Sequence, residues 1–165
     1  WHDAVHAVFD SDRLRPITRY SYSSDSLSLD HLKQLAQGNP HIAGIKPFDV
    51  DLIKGGIRYF DLDAFESAED FVQRGIGYAM MQVDNIIGIA YSSLVNSRAI
   101  EVSIVVEEAH RKQGIATALA LKLLIWCLER NLHPNWDAAN LPSCGLAEKL
   151  GYTAKGDYRA YYLGQ

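Results

Sequence analysis

The longest apolar run in the sequence, Ile115–Leu128, is interrupted only by Thr117 and Lys122. It is too short and too interrupted to cross a bilayer, so we predict no membrane association through a spanning segment. Lys122 and Glu129 mark one narrow polar stripe on a helix that is otherwise apolar nearly all round. Because such a helix buries almost every side, the run predicts a helix from about Ile115 to Arg130 that packs deep against a sheet.

The first part of the chain predicts loops and short helices. The Ser-rich stretch Tyr20–Asp30 is predicted to be a loop that leads into a short helix over Leu29–Gln37. A second helical piece is expected around Phe48–Lys54. A third helix is expected after Ser67, a good N-cap residue that is followed by acidic residues in the first turn.

From Gly77 the hydrophobic period changes to that of strands, and Asp84-Asn85 is typical of a two-residue hairpin turn. The later helix is expected to begin near Pro142, since proline suits the first helical turn, and to end at Gly151. The predicted strands are Gly77–Val83, Ile86–Leu94, Ala99–Val106, His133–Ala139 and Tyr158–Leu163.

Charge and cysteine content exclude several classes of protein. The 165 residues carry a net charge of −4, which argues against the basic surface of a nucleic-acid-binding protein. The two cysteines, Cys127 and Cys144, have neither a disulfide-framework pattern nor metal-ligand spacing, so a cytoplasmic location is expected. His2 and His6 have helical spacing but lack the H-E-x-x-H pattern, and no metal site is predicted.

The segment from Arg111 to Ala116, RKQGIA, lies between a predicted strand and the long helix. A helix N-terminus offers unpaired N–H groups and partial positive charge, and Gly114 allows close backbone approach to a ligand. These features favour a phosphate or pyrophosphate. A glycine here is also a common cap, and Arg111 and Lys112 could form a solvated turn. The segment is neither a P-loop nor a G-x-G-x-x-G fingerprint.

The spacing of Arg111, Gly114 and Ala116 after a strand resembles motif A of the GNAT superfamily of N-acetyltransferases, Q/R-x-x-G-x-G/A. The later segment Asn140–Tyr152 resembles the second signature of that family. The stretch His133–Tyr152 is similar to the branch that is grouped with zwittermicin A resistance acetyltransferases. The resemblance covers roughly the last two-thirds of the chain.

This resemblance implies a mixed α/β (α+β) domain with the GNAT fold. Its central sheet should have six to seven strands with helices on both faces, and its fourth and fifth strands, here Ile100–Val106 and His133–Ala139, should splay apart as a V. We expect a GNAT domain over residues 46–165 and an N-terminal extension, or the remnant of a preceding region, over residues 1–45.

The resemblance also implies that acetyl-CoA binds across the V-shaped opening. The loop amides would hold the pyrophosphate, the backbone of the preceding strand would pair with the pantetheine, and Asn140 and Ser143 would face the pantetheine or the reacting end. The residues so implied are Ile104, Val105, Val106, Arg111, Lys112, Gln113, Gly114, Ile115, Ala116, Thr117, Asn140 and Ser143.

Acetyl transfer to an amine needs a base, because an alkyl ammonium must lose a proton before it attacks. Glu101 is the first candidate, since strand alternation puts it on one face with Ser103. A solvated edge position or a salt bridge to Arg98 are its structural alternatives. Asp137 is the second candidate, with a structural hydrogen-bonding role as its alternative.

One position departs from the family pattern. Many members have a tyrosine that protonates the leaving thiolate at the position where this chain has Ala147. We expect Ala147 to be a packing residue that leaves room for part of the acceptor. Cys144, at the start of the last helix, is expected to be a small buried residue.

The sequence therefore predicts a GNAT N-acetyltransferase that moves an acetyl group from acetyl-CoA to a small amine by direct attack. We expect acetyl-CoA and the amine as partners, neither nucleic acid nor a membrane, and allow for a homodimer. A non-catalytic acyl-CoA-binding or sensing module of the same fold is the alternative, and an unrelated nucleotide-binding α/β domain is a weaker one.

Overall fold

The computed structural model describes Val8 and residues 14–163; His2 and His6 lie outside the described residues. The strands are β1 (Leu14–Ser23), β2 (Ile45–Pro47), β3 (Gly77–Gln82), β4 (Asn85–Val95), β5 (Ala99–Val106), β6 (His133–Ala138) and β7 (Thr153–Leu163). The helices of residues 14–163 are α1 (Leu29–Gln37), α2 (Val50–Lys54), α3 (Ala68–Arg74), α4 (Ile115–Leu128) and α5 (Leu141–Leu150). None of the helices described is long and apolar enough to cross a membrane.

The strands form one seven-stranded sheet in the order β2-β3-β4-β5-β6-β1-β7. The neighbours β5 and β6 are parallel and pair only from Ala99 with His133 to Glu101 with Asn135. The other neighbouring pairs are antiparallel. Beyond Glu101 the two parallel strands no longer pair, which confirms the predicted V-shaped opening in the sheet.

Helices cover both faces of the sheet, as predicted. On one face, α4 packs against β3–β5, and α1, α4 and α5 pack around β6. On the other face, α2 and α3 pack against β3 and β4 through a cluster that includes Phe48, Phe71 and Tyr91. Most of α4 is buried, including Leu119, Leu123 and Leu124. Its apolar composition thus reflects packing against the sheet on one side and against helices on the other.

Most of the predicted elements are confirmed with shifts of a few residues at their ends. The helix Leu29–Gln37 and the strand Ala99–Val106 have the expected bounds. Ser67 caps α3 by accepting a hydrogen bond from the Asp70 amide, and Asn140 caps α5 in the same way from Ser143. Short polar side chains at these positions satisfy amides that the first helical turn leaves unpaired.

The prediction of a loop over Tyr20–Asp30 is wrong in its first part, because Tyr20–Ser23 belong to β1. Among the residues of β1 only Leu14 and Tyr22 are buried, so the strand lacks the alternating apolar pattern that would reveal it. Its stability comes from backbone pairing with β6 on one side and β7 on the other. The strand β7 is longer than predicted for the same reason, since it pairs along the whole of β1.

The short strand β2, which the sequence did not predict, pairs with β3 at the opposite edge of the sheet. The expected division of the chain between residues 45 and 46 is crossed by strand pairing, since β1 pairs with β6 and β7 and β2 begins at Ile45. It is also crossed by helix packing, because Leu32 of α1 lies in one core cluster with Leu121 and Leu124 of α4.

Candidate active site

A cavity of about 710 Å³ lies at the opening between β5 and β6. The end of β5, the loop before α4, the first turn of α4 and one side of α5 form its walls. The residues that line it are Ile104, Val105, Val106, His110, Arg111, Lys112, Gly114, Ile115, Ala116, Thr117, Asn140, Pro142, Ser143, Gly145, Leu146 and Lys149.

The N-terminus of α4 opens into this cavity. Gly114 is the N-cap residue and has a left-handed conformation with φ of 88°, and no side chain caps the helix there. The first hydrogen bond of the helix runs from the Ala118 amide to the Gly114 carbonyl at 3.0 Å. The amides of the first turn before Ala118 therefore have no helical carbonyl with which they can pair. Together with the helix dipole, these amides form a site suited to a phosphate group.

The loop before α4 is held by its own hydrogen bonds. Arg111 Nε donates to the Val106 carbonyl at 3.1 Å, and Gln113 Nε2 donates to the Ala109 carbonyl at 3.2 Å. Lys112 has a φ of 61°, a conformation that is unusual for a residue with a side chain. The loop is thus fixed in a specific shape around the helix N-terminus.

Basic side chains are concentrated around the cavity although the whole chain has a net charge of −4. Arg111, Lys112 and Lys149 are among its lining residues, together with His110. His110, Arg111 and Lys112 come from the segment before α4, and Lys149 comes from the far end of α5. Their formal charge complements the amides of the helix terminus, which favours a ligand with more than one negative charge.

A cluster of charged side chains lies where β5 and β6 separate. Val105 packs on the α2–α3 side of the sheet and Trp136 on the α4–α5 side, so strand alternation puts Glu101 and Asp137 on the same face, away from α4. Arg19 of β1 donates from Nε to Asp137 Oδ2 at 3.0 Å and from Nη2 to the Asp137 carbonyl at 2.8 Å.

Asp137 has a third fixed contact and one free oxygen. Tyr158 of β7 donates its hydroxyl proton to Asp137 Oδ2 at 2.8 Å. In the part of the chain that the structure describes, Asp137 Oδ1 is buried and has no hydrogen-bond partner. Asp137 therefore makes the structural hydrogen bonds that were expected if it is not catalytic. Its Oδ1 atom is left for a further partner.

Glu101 is electrostatically different from Asp137. The pKa of Glu101 is raised to about 7, mainly because burial desolvates the carboxyl group and also because Asp137 lies nearby, while the Arg19 guanidinium acts in the opposite direction. No ion pair of Glu101, with Arg98 or any other residue, is found within residues 14–163. A carboxyl group with a pKa near neutrality is suited to exchange protons at physiological pH.

Two residues of α5, Cys144 and Ala147, belong to the core. Ala147 is fully buried in a cluster with Tyr22 and Trp136, so the expected space for part of an acceptor beside it is not found. Cys144 is buried, as expected. Tyr22 donates its hydroxyl proton to Glu148 Oε1 at 2.9 Å, and burial raises its pKa.

Trp136 and Ser143 are joined at the end of β6. Trp136 is buried and its Nε1–H donates to Ser143 Oγ at 3.2 Å. The Ser143 amide in turn donates to Asn140 Oδ1 at 3.0 Å. These two bonds fix Asn140 and Ser143, which line the cavity, and the burial of Trp136 places it in the core.

Of the residues proposed from the sequence to hold acetyl-CoA, Gln113 alone does not line the cavity. Its carbonyl accepts a hydrogen bond from His41 instead. Glu101 and Asp137 lie outside the cavity lining, at the point where β5 and β6 part.

Sequence reasoning missed some residues around the site. Pro142, Leu146 and Lys149 repeat at helical spacing along α5, so the helical period could have identified them. Arg19 and Tyr158 have no such signal, because they reach Asp137 only through the position of β1 and β7 in the sheet.

Comparison with known proteins gives the same fold. The family model described as GNAT acetyltransferase matches residues 1–161. A GCN5-related N-acetyltransferase-like protein from Streptococcus suis superposes with a TM-score of 0.87 at 31% identity, over 99% of this chain and 67% of that one. An uncharacterized N-acetyltransferase of Bacillus subtilis, YdfB, is 25% identical over 99% of this chain and 63% of its own length.

A more distant structure shares the fold alone. The aminoglycoside N-acetyltransferase AAC(6')-Iy, solved in complex with CoA, superposes with a TM-score of 0.55 at 18% identity, over 73% of this chain and 98% of that one.

These matches identify the class of protein that the sheet opening and the helix terminus define. The chain belongs to the GNAT acetyltransferase family. It spans slightly less than two-thirds of the length of its Bacillus subtilis relative.

Proposed function

We propose that this domain is an N-acetyltransferase that moves an acetyl group from acetyl-CoA to the amine of a small molecule by direct attack. The observation that carries the proposal is the opening between β5 and β6. A phosphate-binding helix terminus lies at one end of the cavity there, and a carboxyl group with a pKa of about 7 lies where the strands part.

The cavity fits the chemistry of CoA. The amides of the first turn of α4 and the cations Arg111, Lys112 and Lys149 provide donors and positive charge for a pyrophosphate. The unpaired edge of β5 beyond Glu101 offers backbone groups over Ile104–Val106 to an extended, amide-containing chain such as pantetheine. When bound, acetyl-CoA supplies the activated acetyl group as a thioester.

Glu101 is the favoured base. An alkyl amine has a pKa of about 10, by analogy with lysine, so it arrives as an ammonium ion. Glu101 has no ion-pair partner among the described residues, whereas Asp137 is held by Arg19 and Tyr158. Both carboxyl groups lie near the Arg19 guanidinium, which pairs with Asp137, and this excess of negative charge suits a cationic acceptor. Glu101 takes the proton, and Asp137 attracts the cation.

Direct attack is favoured over a covalent acetyl-enzyme because neither cysteine is a suitable nucleophile. Burial raises the pKa of the Cys127 thiol to about 12. Cys144 is also buried and packs in the core beside Ala147 and Trp136. A reactive cysteine must be accessible to its substrate, and both cysteines are buried.

The proposal is tested by measuring release of free CoA thiol from acetyl-CoA with a panel of primary amines, alongside calorimetric binding of CoA. Turnover with at least one amine, combined with CoA binding, is the expected result. Binding without release across the panel would favour the non-catalytic acyl-CoA-binding module. Absence of CoA binding would contradict the proposal altogether.

A further inference from the structure

His41 contacts the loop before α4 from a distant part of the chain. Its Nε2 lies 2.8 Å from the Gln113 carbonyl oxygen, across 72 positions of sequence. Because a carbonyl oxygen only accepts, the proton of this bond belongs to His41 Nε2. His41 is itself fixed, since its amide donates to Asn39 Oδ1 at 3.0 Å and its carbonyl accepts from the Gly44 amide at 3.1 Å.

The bond controls the orientation of a whole peptide unit. In a trans peptide the carbonyl of one residue and the amide of the next point in opposite directions, and the described residues contain no cis peptide bond. His41 holds the Gln113 carbonyl, and neither of these residues lines the cavity. The Gly114 amide, in the same peptide unit, points opposite to this carbonyl, and Gly114 does line the cavity.

The neighbouring backbone makes this external support necessary. Lys112 and Gly114, on either side of Gln113, both have positive φ, of 61° and 88°. A residue with a side chain is disfavoured in that conformation and keeps it only when its surroundings enforce it. The imidazole lies beside this backbone, since the position that a Cβ would take at Gly114 is 3.6 Å from His41 Cδ2.

We infer that His41 is a positioning residue for the pyrophosphate of CoA, acting through the Gln113 carbonyl to orient the Gly114 amide. This inference rests on the proposed function, since it assigns the ligand group that the oriented amide receives. His41 is not itself a cavity-lining residue. Its effect is therefore confined to the part of the ligand that the loop binds.

The test compares calorimetric binding of CoA and of pantetheine, which lacks the pyrophosphate, to wild type, His41→Ala, His41→Gln and His133→Ala. Loss of one hydrogen bond of ordinary net strength corresponds to roughly three- to tenfold weaker CoA binding in His41→Ala. Pantetheine binding should not change. Glutamine can place an amide N–H near the position of Nε2, so His41→Gln should recover most of the affinity. His133, an exposed histidine at the start of β6, is the matched control and should bind both ligands like wild type.

The outcomes separate this inference from the proposed function. Equal CoA affinity in wild type and a folded His41→Ala variant would overturn the inference alone. An equal loss of CoA and pantetheine binding, or no recovery in a folded His41→Gln variant, would also overturn it, because either result indicates a general structural effect. If wild type does not bind CoA, the proposed function fails and the inference fails with it.

Discussion

Replacing Glu101 by glutamine tests the proposed base most directly, because the substitution keeps the shape of the side chain and removes its basicity. At pH 7 only about one in 2,500 molecules of an amine with a pKa of about 10.4 is neutral. A variant that depends on this fraction should be slower than wild type by up to about that factor, within the 10²–10⁴ typical of general-base assistance.

The pH dependence distinguishes a lost base from a damaged site. In wild type, kcat/KM for a primary amine should rise about tenfold per pH unit and level off above the Glu101 pKa of about 7. In Glu101→Gln the rate should continue to rise about tenfold per unit toward the pKa of the amine. The deficit of the variant should therefore shrink steadily between pH 7 and pH 10.

The assay is thiol release measured over pH 5.5–10, with Glu108→Gln as the matched control. Glu108 is an exposed glutamate in the turn after β5, and its substitution should leave the profile unchanged. Wild-type activity of Glu101→Gln at neutral pH would refute the assignment of the base. A deficit that stays constant across the pH range would refute the proton-transfer role and indicate a loss of binding or positioning instead.

Three further outcomes are expected. Because the folded-state pKa of Glu101 is raised above its ordinary value, ionisation costs stability as pH rises from about 4.5 to 7. The free energy of unfolding in urea of Glu101→Gln, minus that of wild type, should therefore be about 1–3 kcal/mol larger at pH 8 than at pH 4. An equal difference at both pH values would contradict this. Gly114→Val, with φ of 88° at the helix N-cap, should weaken CoA binding about a hundredfold by calorimetry, whereas Gly38→Ala should not change it. In profiles of kcat/KM against pH, Asp137→Asn should lower the apparent pKa of the rise near pH 7, because it removes a negative charge beside Glu101. Arg19→Gln should raise that pKa, because it removes a positive charge. Shifts in the reverse directions would contradict the proposed electrostatics.

The parts of the fold that local chemistry determines could be predicted from the sequence. The helix over Leu29–Gln37 and the strand Ala99–Val106 depend on periodicity and capping, which neighbouring residues supply. The strand β1 could not be predicted, because most of its side chains are partly or fully exposed. Its place in the sheet depends on backbone pairing with β6 and β7, strands that lie more than a hundred residues away.

The candidate site divides in the same way. The loop around Gly114 is recognisable because its proposed function resides in the backbone and leaves a pattern of small and basic residues. The residues that hold that loop and the carboxyl cluster in place leave no sequence pattern, since each contacts a residue that lies far away in the chain. Arg19 lies 118 positions from Asp137, and His41 lies 72 positions from Gln113.

Both of these supports come from the first 45 residues, which the sequence suggested were an extension. Arg19 on β1 holds one of the two carboxyl groups at the strand opening, and His41 holds the loop at the other end of the cavity. A division of the chain after residue 45 would separate the proposed phosphate-binding end and the acidic end from Arg19 and His41, the side chains that contact them. The N-terminal segment is thus structurally part of the candidate site. Its contribution lies in positioning groups that the recognisable motifs supply.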